Sequence, residues 1–301
     1  MVAELTAELV LDARARLGEG PVWDAAVGVL WWVDIEGRQI HRYDPASGRD
    51  QALATSSEVG AVALRSAGGL VVALADGIWT LDLAFEDGTL VPGPNAWRSI
   101  APFVDAPDVR CNDAKCDPAG RLLVGTMAFD ERPVGGLFSI EGDGRVRRLL
   151  DGLSIANGLA WTDDGRTLYF IDSPTRRVDA FDYDPAGGSL GAGKVHVPFE
   201  ADGPAVPDGM TIDAEGALWV ASWDGWCVRR YLSDGSLDTV VRLPVAQVTS
   251  CAFGGPDLRD LYITTAWTGL DETARAVQPA AGGLFRVRTS VAGLPPAMFA
   301  G

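Results

Sequence analysis

The stretch L-W-W-V-D-I-E-G-R-Q-I-H-R-Y-D-P, Leu30 to Pro45, returns as L-Y-F-I-D-S-P-T-R-R-V-D-A-F-D-Y-D-P, Leu168 to Pro185. Each copy runs through an aromatic and β-branched segment, an acid, a polar turn, an alternating segment and then Asp-Pro, so one structural unit is used twice. Related units follow as R-L-L-V-G-T-M, A-L-W-V-A-S-W and D-L-Y-I-T-T-A-W, each after a turn such as D-P-A-G-R, D-A-E-G or P-D-L-R-D. The segment A-V-A-L-R-S-A-G-G-L-V-V-A-L completes a set of six.

The units recur at about 40 to 50 residues, the length over which a four-stranded sheet makes one propeller blade. Six blades account for nearly all of the 301 residues. Short alternating strands bounded by Gly, Pro, Asp and Asn predict an all-β chain, folded as a single six-bladed β-propeller domain over residues 1–301. Two β-sandwiches would not require the repeat, and a parallel β-helix would repeat at a much shorter period. The N-terminal A-E-L-V-L-D is expected to complete the last blade and remove its exposed edges.

A formal charge of -16 and a pI near 4.5 give a field that repels phosphate backbones and anionic lipid, which argues against nucleic-acid or membrane-surface partners. The opening M-V-A-E-L-T-A-E-L-V-L-D has glutamates where a signal peptide needs positive charge, and no apolar run approaches a membrane span. The expectation is a cytoplasmic protein. Cys111, Cys116, Cys227 and Cys251 form neither C-x-x-C pairs nor a small disulfide framework, so buried thiols are expected. The two histidines, His41 and His196, lie outside any H-x-x-x-H pattern, which argues against a histidine metal site or a His-dependent triad.

Aligning the repeats on their hydrophobic anchors Trp23, Leu64, Cys116, Trp161, Ile212 and Phe253 and counting back four residues gives Glu19, Gly60, Asn112, Asn157, Asp208 and Thr249. A propeller brings equivalent points of its blades to the same height around the axis, so these residues converge on the mouth of the channel. For any one of them a turn-forming role is the simpler reading. Taken together, a Glu, an Asp and two Asn make an oxygen-rich cage in which a divalent cation neutralises the carboxylates. Oxygen donors favour Ca²⁺, Mg²⁺ or Mn²⁺, with Zn²⁺ or Fe²⁺ compatible at lower affinity.

The ordered motifs L-G-E-G-P-V-W, R-C-N-D-A-K-C-D-P-A-G-R-L-L-V-G-T-M, I-A-N-G-L-A-W, V-P-D-G-M-T-I-D-A-E-G-A-L-W-V-A, T-S-C-A-F-G-G-P-D-L and A-G-G-L-F-R-V resemble the senescence marker protein (regucalcin), gluconolactonase and luciferin-regenerating enzyme family from about Leu17 to Val287. The resemblance implies a six-bladed propeller acting on sugar lactones with one divalent metal at the channel mouth. It assigns Glu19, Asn157 and Asp208 as metal ligands, Asn112 as a fourth polar wall and Arg110 as a partner of sugar hydroxyls. Where the family has a sugar-contacting glutamate two positions after G-T-M-A, this chain has Asp130, one methylene shorter. The implied reaction is hydrolysis of an aldonolactone, with the metal polarising the carbonyl and Asp208 acting as general base.

Gly188 to Val195, G-S-L-G-A-G-K-V, nearly spells a P-loop, but Val195 stands where Ser or Thr is needed and no strand-to-helix context surrounds it. There is no G-x-S-x-G nucleophile elbow. Most of the ten tryptophans read as blade core, with Trp223 and Trp226 as candidates for the channel mouth. The competing readings are a pentonolactonase, a phosphotriester or aryl-ester hydrolase, and a non-catalytic calcium-binding scaffold.

Overall fold

The computed structural model describes residues 2–102, 108–199 and 203–301. Six sheets follow one another along the chain, four antiparallel strands running outward in sequence order in each of the first five. The innermost strands are Gly18–Asp24, Val59–Leu64, Val109–Cys116, Ala156–Trp161, Val206–Ile212 and Val248–Gly254. Each packs against the innermost strand of the next sheet, and the sixth packs against the first, so the ring closes as a six-bladed β-propeller. All six anchor residues lie on these inner strands.

The core is divided among the seams between blades. One hydrophobic cluster fills each seam: Trp31 and Val33 face Val62 and Leu64 between the first two blades, and Trp219 and Val228 face Phe253 and Phe285 between the last two. At the closing seam Trp23 of the first blade stacks on Tyr262 of the sixth with ring centroids 5.9 Å apart. The aromatic and β-branched residues of the repeat are therefore the faces of adjoining sheets.

The N-terminal chain is divided between two blades. Glu8–Leu11 forms the outer strand of the sixth sheet, antiparallel to Leu284–Arg288, while Ala3–Thr6 runs parallel to Leu237–Arg242 as a fifth strand on the fifth sheet. At the other end, Leu294–Ala297 passes under the ring, and Phe299 and Ala300 hydrogen-bond to Leu64 and Gly120. This tail lines a cavity of about 400 Å³ at the lower mouth of the channel.

All four cysteines are buried and free, Cys111 and Cys116 in the seam between the second and third blades. His41 stacks on Trp32 at 3.9 Å with Nδ1 2.7 Å from Asp50, a packing role. Among the described residues no helix is long and apolar enough to cross a membrane.

Gly60 is the blade-two member of the aligned set, and its place explains why it has no side chain. A Cβ there would lie 2.3 Å from the Asn112 carbonyl oxygen and 2.7 Å from that of Cys111, both backbone atoms. Gly60→Ala is expected to cost about 1–3 kcal/mol through this overpacking. Urea unfolding would show it as a lower midpoint with unchanged slope.

Candidate functional site

The inner strands carry the same irregularity at the same place. In every blade the pairing with the second strand shifts by one residue, between Glu19 and Val22, Val59 and Ala61, Cys111 and Ala114, Ala156 and Leu159, Pro207 and Met210, and Val248 and Ser250. Such a β-bulge breaks the alternation of side chains and re-aims them. Here it turns the aligned residues toward the axis.

Glu19, Arg110, Asn112, Asn157 and Asp208 line one cleft of about 900 Å³ at the upper mouth. All five are buried. Thr249 is in the ring but serves structure, since its hydroxyl donates to the Gly18 carbonyl at 2.5 Å.

The acid of the founding repeat holds two of these strands in place. Asp34 accepts from the backbone N–H groups of Arg16 and Leu17, at 2.9 and 3.0 Å, just ahead of Glu19. Asp172 accepts from Ser154 and Ile155, the latter at 2.8 Å, just ahead of Asn157. One device thus fixes the approach to two site residues on opposite blades.

A directional chain of hydrogen bonds runs around the mouth. Arg110 donates to Asn112 Oδ1 at 2.8 Å, Asn112 Nδ2 donates to Asn157 Oδ1 at 2.8 Å, and Asn157 Nδ2 donates to Ser173 Oγ at 2.8 Å. Ser173 in turn donates to the Pro207 carbonyl at 2.7 Å, next to Asp208. The chain fixes both amide orientations. Asn157 Oδ1 keeps one lone pair beyond the bond from Asn112.

Burial pushes the Glu19 carboxyl well above the ordinary range, and Asp208 and Asp113 push it further; the Gly20 N–H and Arg110 oppose them. Asp208 is raised well above its usual value by burial first and then by Asp113. Like charges held together out of water call for a counter-ion. Among the described residues no three His, Cys, Asp or Glu side chains gather into a ready-made metal cluster. The donor set is instead mixed, two carboxylates and an amide oxygen, and hard cations accept such sets. The residues fit one divalent cation.

Asp130 departs from its expected place. It sits outside the cleft, its exposed carboxylate held by Arg132 at 2.8 Å, because the turn that closes with the Glu131 N–H on the Ala128 carbonyl directs it outward. Phe129 and Glu131 line the cleft in its stead. Trp223 is also in the lining, whereas Trp226 is 41% exposed and lies outside it.

Two charged residues at the axis escaped the sequence reading: Asp113, buried beside Asn112, and Lys115, whose Nζ donates to the Met210 carbonyl at 2.7 Å. Their signal was present in R-C-N-D-A-K-C-D, where the other repeats carry small or apolar residues. Around the cleft, ion pairs Arg16–Glu36 at 2.9 Å and Arg38–Glu58 at 2.6 Å form a polar rim.

Residues 17–267 match the family model described as SMP-30/Gluconolactonase/LRE-like region. Regucalcin of Xenopus laevis is 37% identical, covering 100% of both chains. A pentonolactonase of Haloferax volcanii is 38% identical, covering 97% of each. The crystal structure of a calcium-binding protein, regucalcin, from Agrobacterium tumefaciens superposes with a TM-score of 0.90 at 30% identity, covering 99% of both chains. With its family model matched across most of its length, the chain belongs to the SMP-30/gluconolactonase/LRE-like family.

Proposed function

We propose that the protein hydrolyses a sugar lactone to its aldonic acid, in a cation-dependent reaction at the upper cleft. The observation that carries this reading is the convergence of Glu19, Arg110, Asn112, Asn157 and Asp208 on one mouth of the channel in a member of this family. The polar rim suits a hydroxyl-rich substrate. The name of the Haloferax relative brings five-carbon lactones into consideration beside gluconolactone.

In this reading Glu19, Asn157 and Asp208 hold the cation, with Ca²⁺, Mg²⁺, Mn²⁺, Zn²⁺ and Fe²⁺ as candidates. When bound, the ion supplies charge that keeps both carboxylates ionised and Lewis-acid polarisation of the lactone carbonyl. Arg110 and Asn112, locked together by their hydrogen bond, orient the sugar hydroxyls. The buried position of Asp208 limits competing water, so its carboxylate can take the proton of the one water that attacks the carbonyl carbon. As the tetrahedral oxyanion collapses, the bond from the carbonyl carbon to the ring oxygen breaks. Asp208 then returns its proton to that oxygen, giving the open-chain hydroxy acid. Asp130, tied to Arg132 outside the cleft, has no part in this scheme.

A cation-binding scaffold without turnover is the second reading, favoured by the description of the Agrobacterium relative as a calcium-binding protein. Steady-state assays with glucono-, galactono-, xylono- and arabinono-lactones and with paraoxon separate the two. At least one aldonolactone should exceed paraoxon in kcat/KM by about a hundredfold; absence of lactone turnover in cation-loaded protein would establish the scaffold.

Asp208→Asn should lower kcat by about 10²–10⁴-fold, the range for loss of a general base. Near-normal turnover in that variant would remove Asp208 from the mechanism. Chelation should abolish activity and a divalent ion restore it. In the same titration, an ion at a hundred times its Kd adds about 2.7 kcal/mol, raising Tm by on the order of 5 °C. Unchanged activity and Tm after exhaustive chelation would refute the cation reading.

A further inference from the structure

Below the residues that face the cleft, the inner strands present two more levels to the axis. One residue after the aligned set stand Gly20, Ala61, Asp113, Gly158, Gly209 and Ser250; three after it stand Val22, Ala63, Lys115, Ala160, Thr211 and Ala252. In five blades these levels are small or uncharged. The third blade alone supplies a charge at each, one of either sign.

The crowding explains the asymmetry. A Cβ on Gly158 would lie 2.8 Å from the Asp208 carbonyl oxygen, and one on Gly209 would lie 2.2 Å from Ser250 Oγ, so those blades leave no room for side chains. Lys115 crosses from the third blade to the fifth, where its Nζ meets the Met210 carbonyl at 2.7 Å. That carbonyl is two residues beyond Asp208. All six residues of the lowest level, Lys115 included, line the lower cavity, whereas none of them lines the upper cleft.

The charges are linked through the same region. Asp113 acts on both Glu19 and Asp208, and Lys115 feels Asp113 most strongly, with Glu19 also in its field. Burial holds the Lys115 ammonium below its usual range, and Asp113 opposes that shift. Three carboxyl groups, Glu19, Asp113 and Asp208, thus share the channel with two basic side chains, Arg110 and Lys115. A hydrogen bond to a carbonyl would be served equally by a neutral donor. The charge finds its counterparts in Asp113 and Glu19.

We propose that Lys115 is a tethered counter-charge beneath the upper site: acting with Asp113, it sets the affinity of the Glu19 and Asp208 pair for one divalent cation. This rests on the cation-dependent reading of the cleft. Lys115 is a positioning residue, separated from the substrate by the ligand level. In the low dielectric of the channel, removing a positive charge strengthens cation binding and removing a negative one weakens it.

Calorimetric titration of Ca²⁺ into chelator-stripped, full-length protein tests the assignment. The wild type should take up one ion. Lys115→Met should bind it roughly tenfold or more tightly, and Asp113→Asn should bind it more weakly by a similar factor. A purely structural Lys115 would weaken binding in both variants, and unchanged or weaker binding in a folded Lys115→Met overturns the proposal while leaving the lactonase reading intact. Ion-free melting supplies the second readout. Asp113→Asn should raise the Tm of Lys115→Met, because it removes the carboxylate left uncompensated; no rise overturns the counter-charge. If the wild type takes up no ion, the cation reading falls together with the affinity role, and a Tm rescue would then preserve only the charge pairing of Asp113 with Lys115.

Discussion

Six strands packed side by side around one axis leave very little room at each level, and this constraint governs the rest of the molecule. A side chain that turns inward on one blade excludes its counterparts on others. Gly60 yields to the backbone of the third blade, Gly158 to that of the fifth, and Gly209 to Ser250. The functional residues are therefore unevenly shared, even though the blades are built on one plan. The bulge common to all six inner strands supplies the positions, and steric competition decides which blades use them.

Polar groups placed at such an axis have to be oriented as well as accommodated. The chain from Arg110 through Asn112, Asn157 and Ser173 to the Pro207 carbonyl spans three consecutive blades, so rotation of either amide would break at least two bonds. Asp34 and Asp172 add rigidity from behind by fixing the backbone that leads into the inner strands. Rigidity of this kind would serve the proposed hydrolysis, in which carbonyl, water and base have to meet with little reorganisation.

The blade plan and the ring of aligned residues were legible in the sequence because both follow from repetition. Anchors four residues downstream located Glu19, Asn112, Asn157 and Asp208 without knowledge of the bulge. Strand alternation, however, would send Asp113 to the face opposite Asn112; both are buried at the axis because the extra residue between Cys111 and Ala114 breaks the period. Asp130 lies outside the cleft for a related reason. A homologous position in a turn fixes the residue but not its direction, and there the turn and the bond to Arg132 hold the carboxylate outward. Lys115 lies outside the set counted back from the anchors, one residue before the Cys116 anchor that packs in a seam, so the alignment did not single it out.

The division of the N-terminal chain between the fifth and sixth blades has a consequence for the order in which the molecule is made. Glu8 pairs with Arg286, 278 residues later, so its strand waits long for its partner. At about 5–20 residues per second, that interval is roughly 14–56 s. Until Leu237–Arg242 and then Leu284–Arg288 are made, the strands Ala3–Thr6 and Glu8–Leu11 are unpaired and could join the wrong edge. Glu4 and Glu8 lie on those strands, and their charges later pair with Arg242 and Arg286. During synthesis the same charges discourage edge-to-edge association. Closure of the ring by Glu8–Leu11 therefore waits for the strand Leu284–Arg288 of its last blade.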